Sequence, residues 1–422
     1  MEVYTAITSV VPEVSAYIGA GLLPHAGNDV AGSVPLPMPT LPRGPRLEAM
    51  TGVAQVLDLD GLDELVRALR DRGFRVLGPR LRDGAIVYGD LGSARDLPAG
   101  WTDVQEPGSY RVERRRDEAV FGYAVGPHSW KRTLLPPAVR LFRTGPELDV
   151  EEEPIDTTPT ALLGVRPCEL AAIAVQDRVF LGGRHADRDY AARRAALFVV
   201  AVNCGDPAST CFCTSMHTGP EAGAGYDLVL TEILPGGHRF LVESGSAAGS
   251  ELLEELPTRD ADDADRAAAR AVIRRATAAM EDGFDPAEAR VALLENLEHP
   301  RWQEIAERCL SCGNCTLACP TCFCTSVEDV TDLDGTAERV RVWDTCFSLR
   351  YSEMHGGATR QSSAARYRQW LTHKLATWHD QFGTSGCVGC GRCVTWCPAG
   401  IDLREEARAF SAASKEAEHA NA

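Results

Sequence analysis

Eight cysteines near the C-terminus fall into two copies of one spacing. Cys309, Cys312, Cys315 and Cys319 lie in CLSCGNCTLACP, and Cys387, Cys390, Cys393 and Cys397 in CVGCGRCVTWCP. Both are C-x2-C-x2-C-x3-C-P runs, the pattern with which bacterial ferredoxins hold [4Fe–4S] clusters. Such close spacing curls the backbone around a cubane and offers three thiolates from one loop. The fourth cysteine, ahead of the proline, serves the other cluster. The spacing therefore predicts Cys309, Cys312, Cys315 and Cys397 on one cluster and Cys387, Cys390, Cys393 and Cys319 on the other. A single run could be a zinc site or coincidence; two complete runs, each closed by proline, leave little room for either. Two clusters held so close make a wire for single electrons. The plainer alternative is that they only staple the fold.

The chain has 422 residues, which predicts two or three domains, and 44% hydrophobic residues allow a packed core. A net charge of −17 argues against a nucleic-acid surface, which needs clustered Lys and Arg. Fifteen cysteines with no legible secretory signal point to metal ligation in a reducing compartment rather than to disulfides. No run reaches the roughly 18 apolar residues of a membrane span, so a cytoplasmic protein off the membrane is expected.

The predicted architecture is an α/β N-terminal part, a mixed sheet with a parallel crossover unit, followed by a mainly α-helical dicluster ferredoxin-like domain. Residues 1–49, with VPLPMPTLPRGPR, are too proline-dense for a helix or central strand and are expected to be disordered, or to precede a true start at Met50. Residues 50–150 read as a small α/β module and 151–250 as a second one. There ALLGV and ALFVVAV are buried strands flanking a helix, so they should run parallel, with YDLVLTEI and RFLVESG extending the sheet. Residues 251–300 read as a helical connector, with Asp285, Pro286 and Glu288 as an N-terminal capping signal. The dicluster domain spans 301–410, its longest helix being 361–382, and 411–422 is expected to fray.

Seven further cysteines are not absorbed by the two runs. Asn203-Cys204-x6-Cys211-Phe212-Cys213-Thr214-Ser215 repeats in register as Asn314-Cys315-x6-Cys322-Phe323-Cys324-Thr325-Ser326. Cys168 and Cys204 follow the two parallel strands and should meet at one sheet edge, where sites collect. Cys168 also opens a helix, whose dipole favours a thiolate. Cys168, Cys204, Cys211 and Cys213 thus form a candidate third [4Fe–4S] site, the alternative being small buried residues. Cys322, Cys324 and Cys346 stay unassigned; His355 and His373 are the nearby histidines that could complete a site.

Other signals are weaker. No Gly-rich nucleotide fingerprint follows a strand, so no flavin or nicotinamide site and no catalytic residue is predicted. Lys131 reads as a surface lysine and Glu151, Glu152 and Glu153 as a solvated acidic turn.

The stretches RCLSCGNCTLACPTCFC, VWDTC, GCVGCGRCVTWCPAGID, GVRPCELAAI, NCGDPASTCFCTSMHTGPEAGAGYDL and GPHSWKRTLLPP resemble the beta subunit of cytoplasmic NAD(P)-linked nickel–iron hydrogenases, the sulfhydrogenases. They are similar also to the corresponding subunit of anaerobic sulfite reductase. The resemblance spans about Met50 to residue 405. It implies an electron-transfer subunit relaying single electrons. On one side stands a flavin- and NAD(P)-binding subunit; on the other, either the hydrogenase small and large subunits or a sulfite reductase catalytic subunit. Two other classes stay open. An iron–sulfur redox sensor would need an effector module, and none is evident. A thiol- or sulfur-chemistry enzyme would need reactive, low-pKa thiols at Cys211/Cys213 and Cys322/Cys324.

Overall fold

The computed structural model describes residues 54–421 apart from 148, 281 and 282, and the side chains as far as 416. The expected N-terminal extension and the start at Met50 lie outside the described residues.

Strands β1 (Gln55–Leu57), β2 (Arg75–Arg82) and β3 (Ala85–Asp90) precede a hairpin of β4 (Trp101–Glu106) and β5 (Ser109–Arg114). Then come β6 (Ala138–Thr144), β7 (Val150–Glu152), β8 (Thr160–Val165), β9 (Leu197–Val202), β10 (Leu228–Ile233), β11 (Arg239–Ser244) and β12 (Arg259–Asp260). Eight of them form one sheet in the order β12-β1-β11-β10-β9-β8-β2-β3. The expected crossover is present: β8, the helix Pro167–Phe180 and β9 form a parallel unit with Leu162 opposite Val199. β10 continues it in parallel and β11 turns back antiparallel. β9 shows why this strand is buried on both faces. Val200 and Val202 enter one core with Leu65, Val76 and Phe240, while Val199 and Ala201 enter the other with Trp130 and Tyr190.

The boundary expected near residue 150 falls inside this sheet, because β2 pairs in parallel with β8 across it. The helix Leu59–Asp71 covers one face; Asp58 caps it through Gly61 N at 2.9 Å, and Leu62, Leu65, Val66 and Leu69 supply its apolar stripe.

The C-terminal part is built from the helices Pro286–Glu295, Arg301–Arg308, Ser363–Thr372 and Leu403–Asn421 around a core of Trp302, Phe347, Trp370, Leu371 and Phe410. Asp285 caps the first of these as the sequence suggested. Three features depart from expectation. The region carries a long hairpin, β13 (Thr325–Thr331) and β14 (Ala337–Trp343), which reaches back to pair with β6 in a second sheet, β13-β14-β6-β7. Glu151 and Glu152 are solvated, but on strand β7 of that sheet rather than in a turn. The tail is helical through Asn421, anchored by fully buried Ala407 and Phe410 and by Asn296 Nδ2 donating to Ser414 Oγ at 2.8 Å. Among the described residues no helix is long and apolar enough to cross a membrane.

Candidate iron–sulfur centres

The two ferredoxin-type loops have the same local shape. Ser311 and Gly389, each two residues after the first cysteine, take positive φ of 51° and 65°, and Gly313 and Gly391 follow at 76° and 74°. One helical turn then begins in each loop, Asn314–Leu317 and Arg392–Thr395, and the two turns pack together. This conformation aims backbone N–H groups at sulfur. Ser311 N lies 3.4 Å from Cys309 Sγ, Gly389 N 3.4 Å from Cys387 Sγ, Thr321 N 3.4 Å from Cys319 Sγ and Ile401 N 3.3 Å from Cys397 Sγ. Such donors stabilise thiolates bound to iron.

The sulfurs of the fourth cysteines stand across from the opposite loops. Cys397 lies within electrostatic reach of Cys309, Cys312 and Cys315, and Cys319 within reach of Cys387, Cys390 and Cys393. Burial pushes Cys309, Cys390 and Cys397 up, Cys387 to about 12, and Cys315 and Cys393 well above their usual value. Cys319 goes the other way. A hydrogen bond with Cys322 holds it far below the usual thiol range, helped by Lys374, whose Nζ is 3.2 Å from its sulfur. Among the described residues no three His, Cys, Asp or Glu side chains gather as around a single metal ion. The donor set, thiols with amide donors and buried cations, fits cubanes.

The third candidate group also comes together. A bulge at Gly164 ends β8 and leads into Arg166 and the helix carrying Cys168. Cys204 follows β9, and Cys211 and Cys213 sit on the next loop. Cys168 and Cys211 both sense Cys213, and Cys213 senses Cys204. All three also sense Cys390 of the neighbouring cluster loop. Burial raises Cys168 well above its usual value, so the helix N-terminus does not decide its state.

This loop is seated on the dicluster by backbone contact. Phe212 N donates to Gly389 O at 2.8 Å, and a Cβ at Gly389 would stand 2.6 Å from Cys213 Cα. Only glycine permits that approach. Two buried arginines supply positive charge. Arg166 donates to the carbonyls of Phe121 and Tyr123 at 2.6 Å, and Cys204 is the largest influence favouring its charge. Arg392 pairs with Glu169 at 2.6 Å, both about fully buried, and senses Cys390 and Cys168.

Cys322, Cys324 and Cys346 line one internal cavity with Trp370, His373, Lys374 and Trp378. His355, by contrast, sits exposed between the strands of a small hairpin, Glu353–Met354 and Gly357–Ala358, away from that cavity. Lys131 corrects its sequence reading. It is 5% exposed, stacked 3.9 Å over Trp343, with Nζ 3.2 Å from Cys322 O. Burial lowers it to about 8, whereas Lys374, equally buried, is held well above the usual range because it bonds a sulfur directly. The thiol-chemistry reading needs depressed thiols. Burial instead raises Cys211, Cys213 and Cys324, and Cys322 is raised chiefly by Cys319.

Arg166, Glu169, Lys374 and Arg392 were not singled out in the sequence. Lys374 carried a signal, since it shares the stripe Trp370, Leu371, Leu375 and Trp378 on the buried side of its helix. A π-turn, His373–Thr377, sets it there.

Comparison with known proteins gives two findings. Residues 308–401 match the family model described as a 4Fe-4S dicluster domain, which brings two [4Fe–4S] clusters. The sulfhydrogenase 2 subunit beta of Pyrococcus furiosus is 31% identical over 333 residues, covering 76% of this chain and 91% of that one. No solved structure matches.

Proposed function

The chain belongs to the family of sulfhydrogenase beta subunits, and from that premise we propose that it passes single electrons between two partner subunits. It is an iron–sulfur electron-transfer subunit of a sulfhydrogenase-type complex. One partner binds flavin and NAD(P) and divides a hydride's two electrons into single ones. The other is the terminal redox unit, the nickel–iron hydrogenase small and large subunits. Within the chain, Cys309, Cys312, Cys315 and Cys397 hold one cubane, Cys387, Cys390, Cys393 and Cys319 the second, and Cys168, Cys204, Cys211 and Cys213 a third.

The observation that carries this reading is continuity. Cys211 Sγ lies 3.9 Å from Cys390 O, and Cys393 senses Cys387, Cys390 and Cys319 while Cys315 senses Cys393. Thiol sites thus run unbroken from the sheet edge through both dicluster loops. Buried cations along the line stabilise electrons on otherwise anionic centres.

Two measurements test it. Cys211→Ser/Cys213→Ser should lose about four irons and four sulfides relative to wild type; unchanged content returns those cysteines to packing. In the anaerobic complex, NAD(P)H should reduce the clusters only when the flavin partner is present, and hydrogen should reduce them through the hydrogenase. Reoxidation by sulfite with no response to hydrogen would assign the terminal partner to a sulfite reductase. Zinc without sulfide would overturn electron transfer altogether.

A further inference from the structure

We propose that Cys322, Cys324 and Cys346 hold an iron–sulfur cluster of their own, bound by three protein thiolates. Cys322 and Cys324 flank Phe323 just after the first ferredoxin run. Cys346 follows β14 at the base of the β13–β14 hairpin, which is closed by Thr325 opposite Trp343 and by Asp344 N donating to Cys324 O at 2.9 Å. The hairpin thereby brings Cys346 beside Cys324, and all three cysteines line one cavity.

The walls of that cavity call for an anionic, sulfur-rich occupant. Trp370 and Trp378, 4% and 2% exposed, line the cavity, and their indole N–H groups have no acceptor among the described residues. A buried donor left unpaired costs about 1–3 kcal/mol, and cluster sulfides are acceptors. Two buried lysines stand at this site: Lys374 lines the cavity, and Lys131 Nζ lies 3.2 Å from Cys322 O.

The internal repeat explains why there are three ligands and not four. In the first copy Cys204, Cys211 and Cys213 are joined by Cys168. In the second, the cysteine equivalent to Cys204 is Cys315, which feels Cys346 first and then Cys393, Cys312 and Cys397, and which the ferredoxin-type spacing gives to the first cubane. Cys322, Cys324 and Cys346 are left to form a cuboidal cluster with one corner lacking a protein thiolate. Each thiol releases its proton as it binds iron. Cys322 adjoins Cys319, and Cys346 adjoins Cys315, so the site touches both dicluster groups as a side branch. The inference does not depend on the third cluster or on the partners proposed above.

The test is iron and sulfide content with EPR on the anaerobic full chain. Cys322→Ser/Cys324→Ser should lose about three to four irons, with the reduced dicluster signals retained. Unchanged iron with every signal intact would overturn the proposal. If that variant does not fold, mild oxidation of the wild-type holoprotein decides. The corner without a thiolate sheds its iron first, so about one three-iron cluster per chain should appear, unless the site is built with three irons from the outset, in which case the signal precedes oxidation. No three-iron signal before or after oxidation would overturn it.

Discussion

The two copies of N-C-x6-C-F-C-T-S share a spacing and end in different company. In the first, Asn203 is buried and tied to Thr231 Oγ1 and Ala222 N at 2.8 Å, and Phe212 is 1% exposed against Phe284. Its counter-charge is arginine, held by carbonyls. In the second, Asn314 reaches Trp396 O at 3.3 Å, and Phe323 is half-buried, edge-on to Trp378, Phe180 and Phe382. Its counter-charges are lysines, one bonded to sulfur. The equivalent threonines, Thr210 and Thr321, are fully buried in both copies. Ligand spacing is thus a local property, while a centre's electrostatics come from whatever packs against it.

The largest expected difference between the copies is in packing. Phe212→Ala should cost about 3–5 kcal/mol in urea unfolding of the anaerobic holoprotein, followed by cluster absorbance. Phe323→Ala should cost roughly half as much, since less of its ring is removed from water. Equal losses would mean the second copy is held as tightly as the first.

Next in size is charge. Lys374→Met removes a cation in contact with Cys319 and should lower the potential of the neighbouring dicluster centre by on the order of 100 mV in an EPR-monitored redox titration. The matching change, Arg166→Met, should shift only the proposed centre at Cys204. A shift of every centre by either variant would break the separation between the two sites.

The smallest effect concerns the seam between them. Gly389→Ala places a methyl against Cys213 in a left-handed conformation and should cost about 1–3 kcal/mol. The third group should lose its iron before the dicluster does. Simultaneous loss from all centres would show that the loop at Phe212 is not separately seated.

Much of the site was legible because it is short-range. The C-x2-C-x2-C runs dictate loops with a left-handed residue in each turn, and Ser311 and Gly389 supply it at equivalent positions. The crossover β8–helix–β9 was legible as well, since strands buried on both faces read as continuous apolar runs. The sheet's full extent was not, because β2 and β8 are separated by the β4–β5 hairpin and by strands of the second sheet. Nor was the hairpin β13–β14, whose strand β13 shows no apolar face: Thr325, Val327, Asp329 and Thr331 are exposed, Ser326 and Glu328 share the other face with Val330, and the hairpin's partner is the distant β6.

Lys131 marks the limit most sharply. It is an ordinary lysine after a tryptophan, yet its ammonium meets the carbonyl of Cys322, 191 residues away. By itself the sequence determined which cysteines share a loop, which strands run parallel and where a repeat stands, because each depends on neighbours a few residues apart. Only the tertiary structure decided which cations are buried against which sulfurs, and which thiols are raised or lowered. Burial and local dielectric belong to the packed molecule and to no segment of it.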